Sequence, residues 1–150
     1  MRYNQRVIIK NTDYQKVREA FHSIRLVRFL TYLQPIKIIE WSGIESGKIA
    51  YFKLWFFGWK DFKVMHENYL DNNNYLFFID RGIKLPLRIV FWKHEHCVFK
   101  DKENTIIEDV LSFNHANKYI GYLLFPILVF PIIIRKFLYK IYFLKNTELL

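Results

Sequence analysis

The pattern of apolar and polar residues predicts that the chain begins with a strand and two short helices. A β-branched run predicts a strand from Tyr3 to Lys10. Asn11, Thr12 or Asp13 can cap the helix that follows, because its apolar residues recur at intervals of three and four. A second helix is expected from Arg25 to Leu33, and it must end before the proline that comes shortly afterwards.

From Ile36 to Phe113 the apolar residues recur with a period of two, which is typical of strands. Turn residues separate six predicted strands. These are Ile36 to Gly43, Lys48 to Phe57, Lys60 to Leu70, Tyr75 to Asp80, Arg88 to Lys100 and Thr105 to Phe113. Their connections are shorter than the dozen or more residues that a parallel crossover requires. Consecutive strands are therefore expected to pair as antiparallel neighbours.

The last segment, Asn117 to Leu150, is predicted to be mostly helical. Its uncharged part, from Tyr119 to Ile134, is shorter than the roughly 20 residues that span a bilayer. We therefore favour a buried core helix over a membrane anchor. Pro126 and Pro131 are expected before the regular helix or in its first turn, where a missing N–H costs little. The side expected to close the sheet consists of Phe130, Ile133, Ile134, Phe137, Leu138 and Ile141.

Composition and charge limit the class of protein. The 150 residues are 52% hydrophobic and 19% aromatic, which excludes disorder and fits one domain over residues 1–150. A net charge of +9 favours anionic partners, including transient contact with an anionic membrane surface. Specific nucleic-acid binding is not expected, because the basic residues form no dense run and no RNA-binding aromatic motif. The sequence does not indicate an oligomeric state.

Cysteine usage and the start of the chain bear on the compartment. Cys97 is the single cysteine, which excludes an intramolecular disulfide and a cysteine-based zinc site. The chain reaches only a short apolar run, Val7 to Ile9, before Lys10, and this is not a secretory signal. We expect a cytoplasmic protein. No cofactor is expected, since there is no glycine-rich phosphate loop, serine elbow or dinucleotide fingerprint.

Two histidines and an aspartate of the last two strands are predicted to share one face. Pairing these strands around their turn places His96 opposite Asp109. The charged residues of the other face mark it as the solvent side, so His94, His96 and Asp109 should point inward. The same register places His94 opposite Leu111 and Trp92 opposite Phe113.

His94, His96 and Asp109 are the candidates for acid–base catalysis, ligand binding or metal binding. His96 is expected to donate a ring N–H to Asp109, because an inward polar group is costly unless it is hydrogen-bonded. The pair could act as a general acid and base, but no nucleophile or second acid is identifiable beside it. We therefore favour a structural or ligand-orienting role over catalysis. His-x-His with an aspartate can bind zinc, but His66 or His115 would have to supply a further ligand, and no metal site is assigned.

Two other polar residues are given structural roles. Asp80 is expected to serve as a cap at the end of its strand, where it could orient Arg81 or a turn amide. His66 alternates with apolar residues and is expected to be a satisfied core or rim residue.

One stretch of the sequence resembles a known family. It contains Phe78-Ile79-Asp80, then Pro86-Leu87, then Trp92-Lys93-His94-Glu95-His96 with Phe99, and finally Thr105, Asp109 and Phe113. In this order and spacing it is similar to the START-like, or SRPBCC, superfamily of helix-grip domains, particularly its bacterial polyketide-cyclase-like and cell-division-inhibitor-like branch. Leu85 and Ala116 depart from the family pattern, which has glycine and proline at these positions.

The resemblance implies an α+β helix-grip fold. Such a fold has a seven-stranded curved antiparallel sheet around a long C-terminal helix, two short helices after strand 1, and a ligand cavity between sheet and helix. The implied function is binding, carriage or sensing of a small hydrophobic ligand, such as a lipid or polyketide. The alternatives are a cyclase or hydrolase-like enzyme that uses His96 and Asp109, and a lipid handler at the membrane surface. The residues expected at the ligand are Trp92, His94, His96, Asp109, Leu111, Phe113, Phe130, Ile134 and Phe137.

Overall fold

Seven strands and three helices follow one another in the order that the sequence predicts. The computed structural model describes residues 1–145 of the chain. The elements are β1 (Arg2–Ile9), α1 (Tyr14–Phe21), α2 (Ile24–Thr31), β2 (Ile36–Trp41), β3 (Ile49–Trp55), β4 (Trp59–Asp71), β5 (Tyr75–Lys84), β6 (Ile89–Asp101), β7 (Asn104–His115) and α3 (Lys118–Lys145).

The strands form a single sheet in the order β1-β7-β6-β5-β4-β3-β2, and every neighbouring pair is antiparallel. The predicted antiparallel pairing is therefore confirmed, and β1 completes the sheet beside β7. Irregularities in register interrupt the β2–β3, β4–β5 and β6–β7 pairs. Bulges of this kind bend strands, so they help the sheet to curve around α3. The α+β fold class predicted from the sequence is confirmed.

Two element boundaries differ from the prediction in ways that affect the site. β5 continues four residues past Asp80, because it stays paired with β4 as far as Lys84. α3 begins at Lys118, so Pro126 and Pro131 lie inside the helix and not in its first turn. Each proline removes one helical N–H donor, a loss that the packing of α3 against β1 and β7 must offset.

The core consists of two apolar halves. One half joins α1 and α2 to the C-terminal part of α3, where Leu138, Tyr139 and Phe143 are buried. The other half joins β3 and β4 to the middle of α3, where Leu128 and Ile132 are buried. Polar side chains cross the concave face between the two halves and form the site described below.

The inward face of α3 differs from the predicted one. Leu138 is buried and Ile134 is half-buried, as expected. Phe130 and Phe137, however, are 56% and 62% exposed, and Ile133 and Ile141 are exposed as well. The helix is rotated relative to the prediction, because Arg135 turns inward toward the carboxylate of Asp109. The predicted lining roles of Phe130 and Phe137 are therefore wrong.

The outward face of α3 is unusually apolar. By length and composition alone, Lys118–Leu144 is able to cross a membrane, and only 22% of its most apolar 18-residue window is buried. The expectation of a mostly buried core helix is therefore corrected. One side of α3 packs on the sheet, and the other side presents a continuous apolar stripe.

Adjacent residues of α3 provide a test of this orientation. Leu138→Ala should lower the free energy of unfolding by about 2 to 5 kcal/mol, since it leaves a cavity in the core. Phe137→Ala should change it by about 0.5 kcal/mol or less, because the ring lies on the surface. Urea unfolding of both variants measures the difference. An equal loss in the two variants would contradict the orientation of α3.

Candidate functional site

The polar residues between the two halves of the core come from five strands, β1 and β4 to β7, and from α3. The predicted register is confirmed, because His96 pairs with Asp109, His94 with Leu111 and Trp92 with Phe113. His94, His96 and Asp109 are all buried on the concave side. Because side chains alternate strictly along β6 and β7, these three side chains point into the interior.

Asp80 is at the centre of the group. Nδ1 of His66 donates to Oδ1 of Asp80 over 2.8 Å, and Nε2 of His96 donates to Oδ2 over 3.0 Å. Asp80 lies within β5 directly across from His66 on β4 and His94 on β6. The prediction of a strand-end cap for Asp80 is therefore wrong, since its carboxylate joins two histidines.

Asp109 forms the second centre and is fully buried. Nε2 of His94 donates to its Oδ1 over 3.1 Å, and the Gln5 amide lies 3.4 Å from its Oδ2. Nδ1 of His96 is 3.2 Å from the same Oδ1, an ion-pair contact without hydrogen-bond geometry. The expected hydrogen bond from His96 to Asp109 is thus corrected: His94 donates to Asp109, and His96 donates to Asp80.

α3 contributes Arg135 and Tyr139 to the same site. Nη1 of Arg135 lies 4.0 Å from Oδ1 of Asp109, and the Tyr139 hydroxyl is buried without a hydrogen-bond partner. The Gln5 amide also donates to the backbone carbonyl of Ile132 over 2.8 Å, which ties β1 to the helix. The position and rotation of α3 therefore depend on polar contacts as well as on apolar packing.

The carboxylates and His96 stabilise one another's charges. Burial opposes the ionised form of Asp80, but the charge of His96 and hydrogen bonds from His66 and His96 hold its pKa well below the usual range. Burial also opposes ionisation of Asp109, but the hydrogen bond from His94 and the adjacent positive charge of His96 lower its pKa. Burial disfavours the charge on His96, yet the two carboxylates outweigh this effect and raise its pKa to about 9. At neutral pH His96 is therefore an imidazolium between two carboxylates.

The pKa of His94 is shifted in the opposite direction to that of His96. Burial and the positive charge of His96 lower the pKa of His94 to about 4. His94 is thus neutral at pH 7, and its one ring proton lies on Nε2, where Asp109 accepts it. Its Nδ1 is then a free acceptor on the side of Asp80, 3.9 Å from Oδ2.

A cavity of about 150 Å³ borders this group between the sheet and α3. Its walls are mainly apolar and aromatic side chains of α2, β3, β4, β6 and α3, while His66, Asp80, His94 and His96 form a polar patch. Among the lining residues, Ile127 is exposed and Phe56 is half-buried. The site therefore combines an apolar volume with a few converging polar atoms.

Solved structures share this architecture at low sequence identity. Protein Ms6760 from Mycobacterium smegmatis matches with a TM-score of 0.68 and 8% identity, over 97% of this chain and 92% of that chain. Ara h 8.0201 matches with a TM-score of 0.58 and 13% identity, over 97% and 99% of the two chains. Major latex-like protein 151 from Panax ginseng matches with 0.51 and 14%, over 83% and 90%. The chain has the helix-grip fold.

At these identities the helix-grip likeness concerns the fold alone. No protein-family model and no curated protein sequence matches the chain. The function of this helix-grip domain must therefore be argued from its own residues.

The nine residues predicted at the ligand of the helix-grip domain occupy different places. Trp92, His94 and His96 line the cavity. Asp109 lies behind His94 and His96, and Leu111 and Phe113 are buried in the core. Ile134 packs against the other half of the core, while Phe130 and Phe137 face outward. The lining residues that the prediction missed include Ala50, Phe62, His66, Asp80, Leu128, Ile132, Arg135 and Tyr139.

Three side chains of the site are able to hold a metal ion. Asp80, His94 and His96 each offer a ligand atom, and these atoms lie within 4.8 Å of one another. Asp109 is not among them, since its oxygens are used by His94, His96 and Gln5. The carboxylate that could share a metal ion with His94 and His96 is therefore Asp80 of β5 and not Asp109 of β7.

The charge on His96 predicts how stability depends on pH in metal-free protein. Its pKa is about 9 when folded and about 6.5 when unfolded, so its contribution is complete below pH 6.5 and is lost as pH rises through 9. Between these values the free energy of unfolding should fall by up to about 1.4 kcal/mol per pH unit. Urea unfolding at pH 6.5, 7.5 and 8.5, with a chelator present, measures this slope.

His96→Gln should reduce the slope, while His115→Gln, at the end of β7, serves as the matched control and should retain it. If wild type and His96→Gln show the same slope over this range, His96 does not carry the buried charge.

Proposed function

We propose that the protein binds a small apolar molecule that carries one hydrogen-bond donor, in the cavity between the sheet and α3. The observation that carries this proposal is the combination of an apolar cavity of about 150 Å³ with a polar patch in its wall. An engineered apolar cavity of similar volume in another protein binds benzene. A body of about one aromatic ring, or a short acyl chain, therefore fits without expansion of the cavity.

The preference for a donor follows from the histidine tautomers. Asp80 and Asp109 are ionised and accept hydrogen bonds, so His66 carries its proton on Nδ1 and His94 carries its proton on Nε2. Nδ1 of His94 is consequently a free acceptor, and Nε2 of His66 is a buried nitrogen without a hydrogen-bond partner. Both histidines line the cavity, so a ligand hydroxyl or N–H can donate to one of them.

Binding is favoured over acid–base catalysis by the surroundings of His96. Its Nε2 donates to Asp80 and its Nδ1 faces Asp109. Neither nitrogen is free to exchange a proton with a substrate, and Asp109 itself does not line the cavity. The pair that the sequence offers for catalysis therefore serves better to shape and polarise a binding site.

Phenol and toluene distinguish this proposal from nonspecific binding, because they are similar in size and differ in the donor. Phenol should bind more tightly than toluene to the wild-type protein in calorimetric titrations. Ala50→Leu should weaken phenol binding at least about tenfold, or roughly 1.4 kcal/mol, because Ala50 lines the cavity and the larger side chain fills it.

Val90→Leu is the matched control, since Val90 is exposed on β6, and it should bind phenol like the wild type. Equal affinity of the Ala50→Leu and wild-type proteins for phenol would place binding outside the cavity and contradict the proposal.

We also propose that the protein acts at an anionic membrane surface, and the outward stripe of α3 favours this second function. The stripe consists of Tyr119, Leu123, Ile127, Phe130, Ile133, Phe137, Ile141 and Leu144, all of them exposed. Exposed Lys136 and Lys140 lie beside it, and the described helix contains no acidic residue. An apolar stripe flanked by lysines suits a helix that lies in the lipid headgroup region.

A second apolar feature lies in the turn between β3 and β4. Phe57 is 98% exposed, and its ring lies 5.8 Å from that of Trp55. Phe56 of the same turn lines the cavity, as does Ile127 of the stripe. Exposed aromatic rings favour the membrane interface, so a ligand could pass between lipid and cavity at this point.

Sedimentation with lipid vesicles tests the membrane proposal. The protein should bind vesicles of phosphatidylcholine with one-quarter phosphatidylglycerol, and it should bind pure phosphatidylcholine vesicles more weakly, because the lysines favour anionic lipid. The double variant Phe57→Ser, Phe137→Ser should bind at least about tenfold more weakly, since two exposed rings no longer enter the lipid. Val90→Ser should bind like the wild type.

The competing occupant of the stripe is a second copy of the chain. Light scattering that shows a dimer, which Phe137→Ser converts to monomer, together with no vesicle binding, would contradict the membrane proposal.

A further inference from the structure

Two histidine nitrogens and one carboxylate oxygen converge at the polar wall of the cavity. Nε2 of His96 lies 3.0 Å and Nδ1 of His94 lies 3.9 Å from the same atom, Oδ2 of Asp80. The imidazole rings of His94 and His96 are 4.0 Å apart between centroids. The three side chains come from β5 and β6, which are directly paired, so the sheet itself determines their spacing.

These separations match what a tetrahedral metal ion requires. Zinc lies about 2.0 to 2.2 Å from imidazole nitrogen and carboxylate oxygen, so two ligands of one ion are roughly 3.3 Å apart. The separations of 3.0 and 3.9 Å lie on either side of this value. Small side-chain adjustments would place one ion within reach of all three atoms.

We propose that Asp80, His94 and His96 bind a divalent transition-metal ion of zinc type, through Oδ2, Nδ1 and Nε2 respectively. The ion takes the place of the proton that His96 shares with Asp80, and that proton is released to solvent. The proposal goes beyond the binding of an apolar ligand and does not depend on it.

The remaining polar atoms hold the three side chains in the required orientation. Metal-binding histidines commonly donate their other N–H to a carboxylate, which fixes the tautomer and the direction of the ring. Asp109 has this role for His94, whose Nε2 donates to its Oδ1 over 3.1 Å, and the same Oδ1 makes an ion-pair contact of 3.2 Å with Nδ1 of His96. His66 holds the other oxygen of Asp80 over 2.8 Å. His66 and Asp109 are thus positioning residues.

The site leaves at least one coordination position for a small molecule. Three protein ligands with an open fourth position are typical of catalytic zinc sites, whereas structural sites use four protein ligands. All three proposed ligands line the cavity, so the open position faces the space in which a small molecule would lie.

Zinc titration of the full-length protein after removal of metal by a chelator tests the proposal. Wild type should bind one zinc ion per chain in calorimetry, with the stoichiometry checked by elemental analysis. His94→Gln and Asp80→Asn should each weaken binding by roughly 100-fold or more, because the loss of a direct ligand exceeds the 10- to 100-fold effect of losing an outer partner. His115→Gln should bind zinc like the wild type.

X-ray absorption of the zinc-loaded wild type gives a result that does not require a variant to fold. We expect only nitrogen and oxygen neighbours, with scattering from two imidazole rings. Zinc binding that survives both His94→Gln and Asp80→Asn, a spectrum with one or no imidazole, or no binding by the wild type would overturn the proposal. Reduced affinity in His115→Gln would place the ion on the surface and overturn it as well.

Discussion

The imidazolium of His96 between the carboxylates of Asp80 and Asp109 is the interaction on which the rest of the structure depends. Burial alone would neutralise each of these groups. Their charges persist because the imidazolium stabilises both carboxylates and the carboxylates stabilise the imidazolium. Removal of one partner from a buried ion pair typically costs about 3 to 5 kcal/mol, because the remaining charge is left without compensation. The site therefore constrains the relative positions of β5, β6 and β7.

This polar layer also explains the form of the cavity and the rotation of α3. A buried apolar cluster lies on each side of the layer, and half-buried Trp41 packs against both clusters. The cavity lies where His66, His94 and His96 meet the apolar walls. Arg135 turns toward Asp109, and this brings Tyr139 inward and leaves Phe137 outside. The exposed stripe of α3 is thus a consequence of where the inward-turned Arg135 lies on the helix.

The element order and the β6–β7 register could be predicted from the sequence because both follow from local rules. Alternation and a short turn are sufficient to place His96 opposite Asp109. The partnership of His66 with Asp80 could not be derived in this way, since the β4–β5 register shifts between Glu67 and Leu70. The sequence prediction also places Asp80 at the end of its strand, although its alternation with Leu76 and Phe78 indicates that it points inward.

The orientation of α3 could not be obtained from periodicity. Almost every position between Tyr119 and Ile134 is apolar, so no polar face marks the outward side. Arg135 would ordinarily be placed in solvent, and only the buried carboxylates of distant strands reverse this preference. The inward face of the helix is therefore set by tertiary contacts, and for this reason periodicity alone does not place Phe130 and Phe137 on the outward side.

Nitrogen-15 NMR of the histidine side chains in metal-free protein at pH 7.5 tests the buried charge most directly. The account predicts that His96 is protonated on both ring nitrogens, while His94 is neutral with its proton on Nε2. A neutral His96 at this pH, or a His94 that carries its proton on Nδ1, would contradict it.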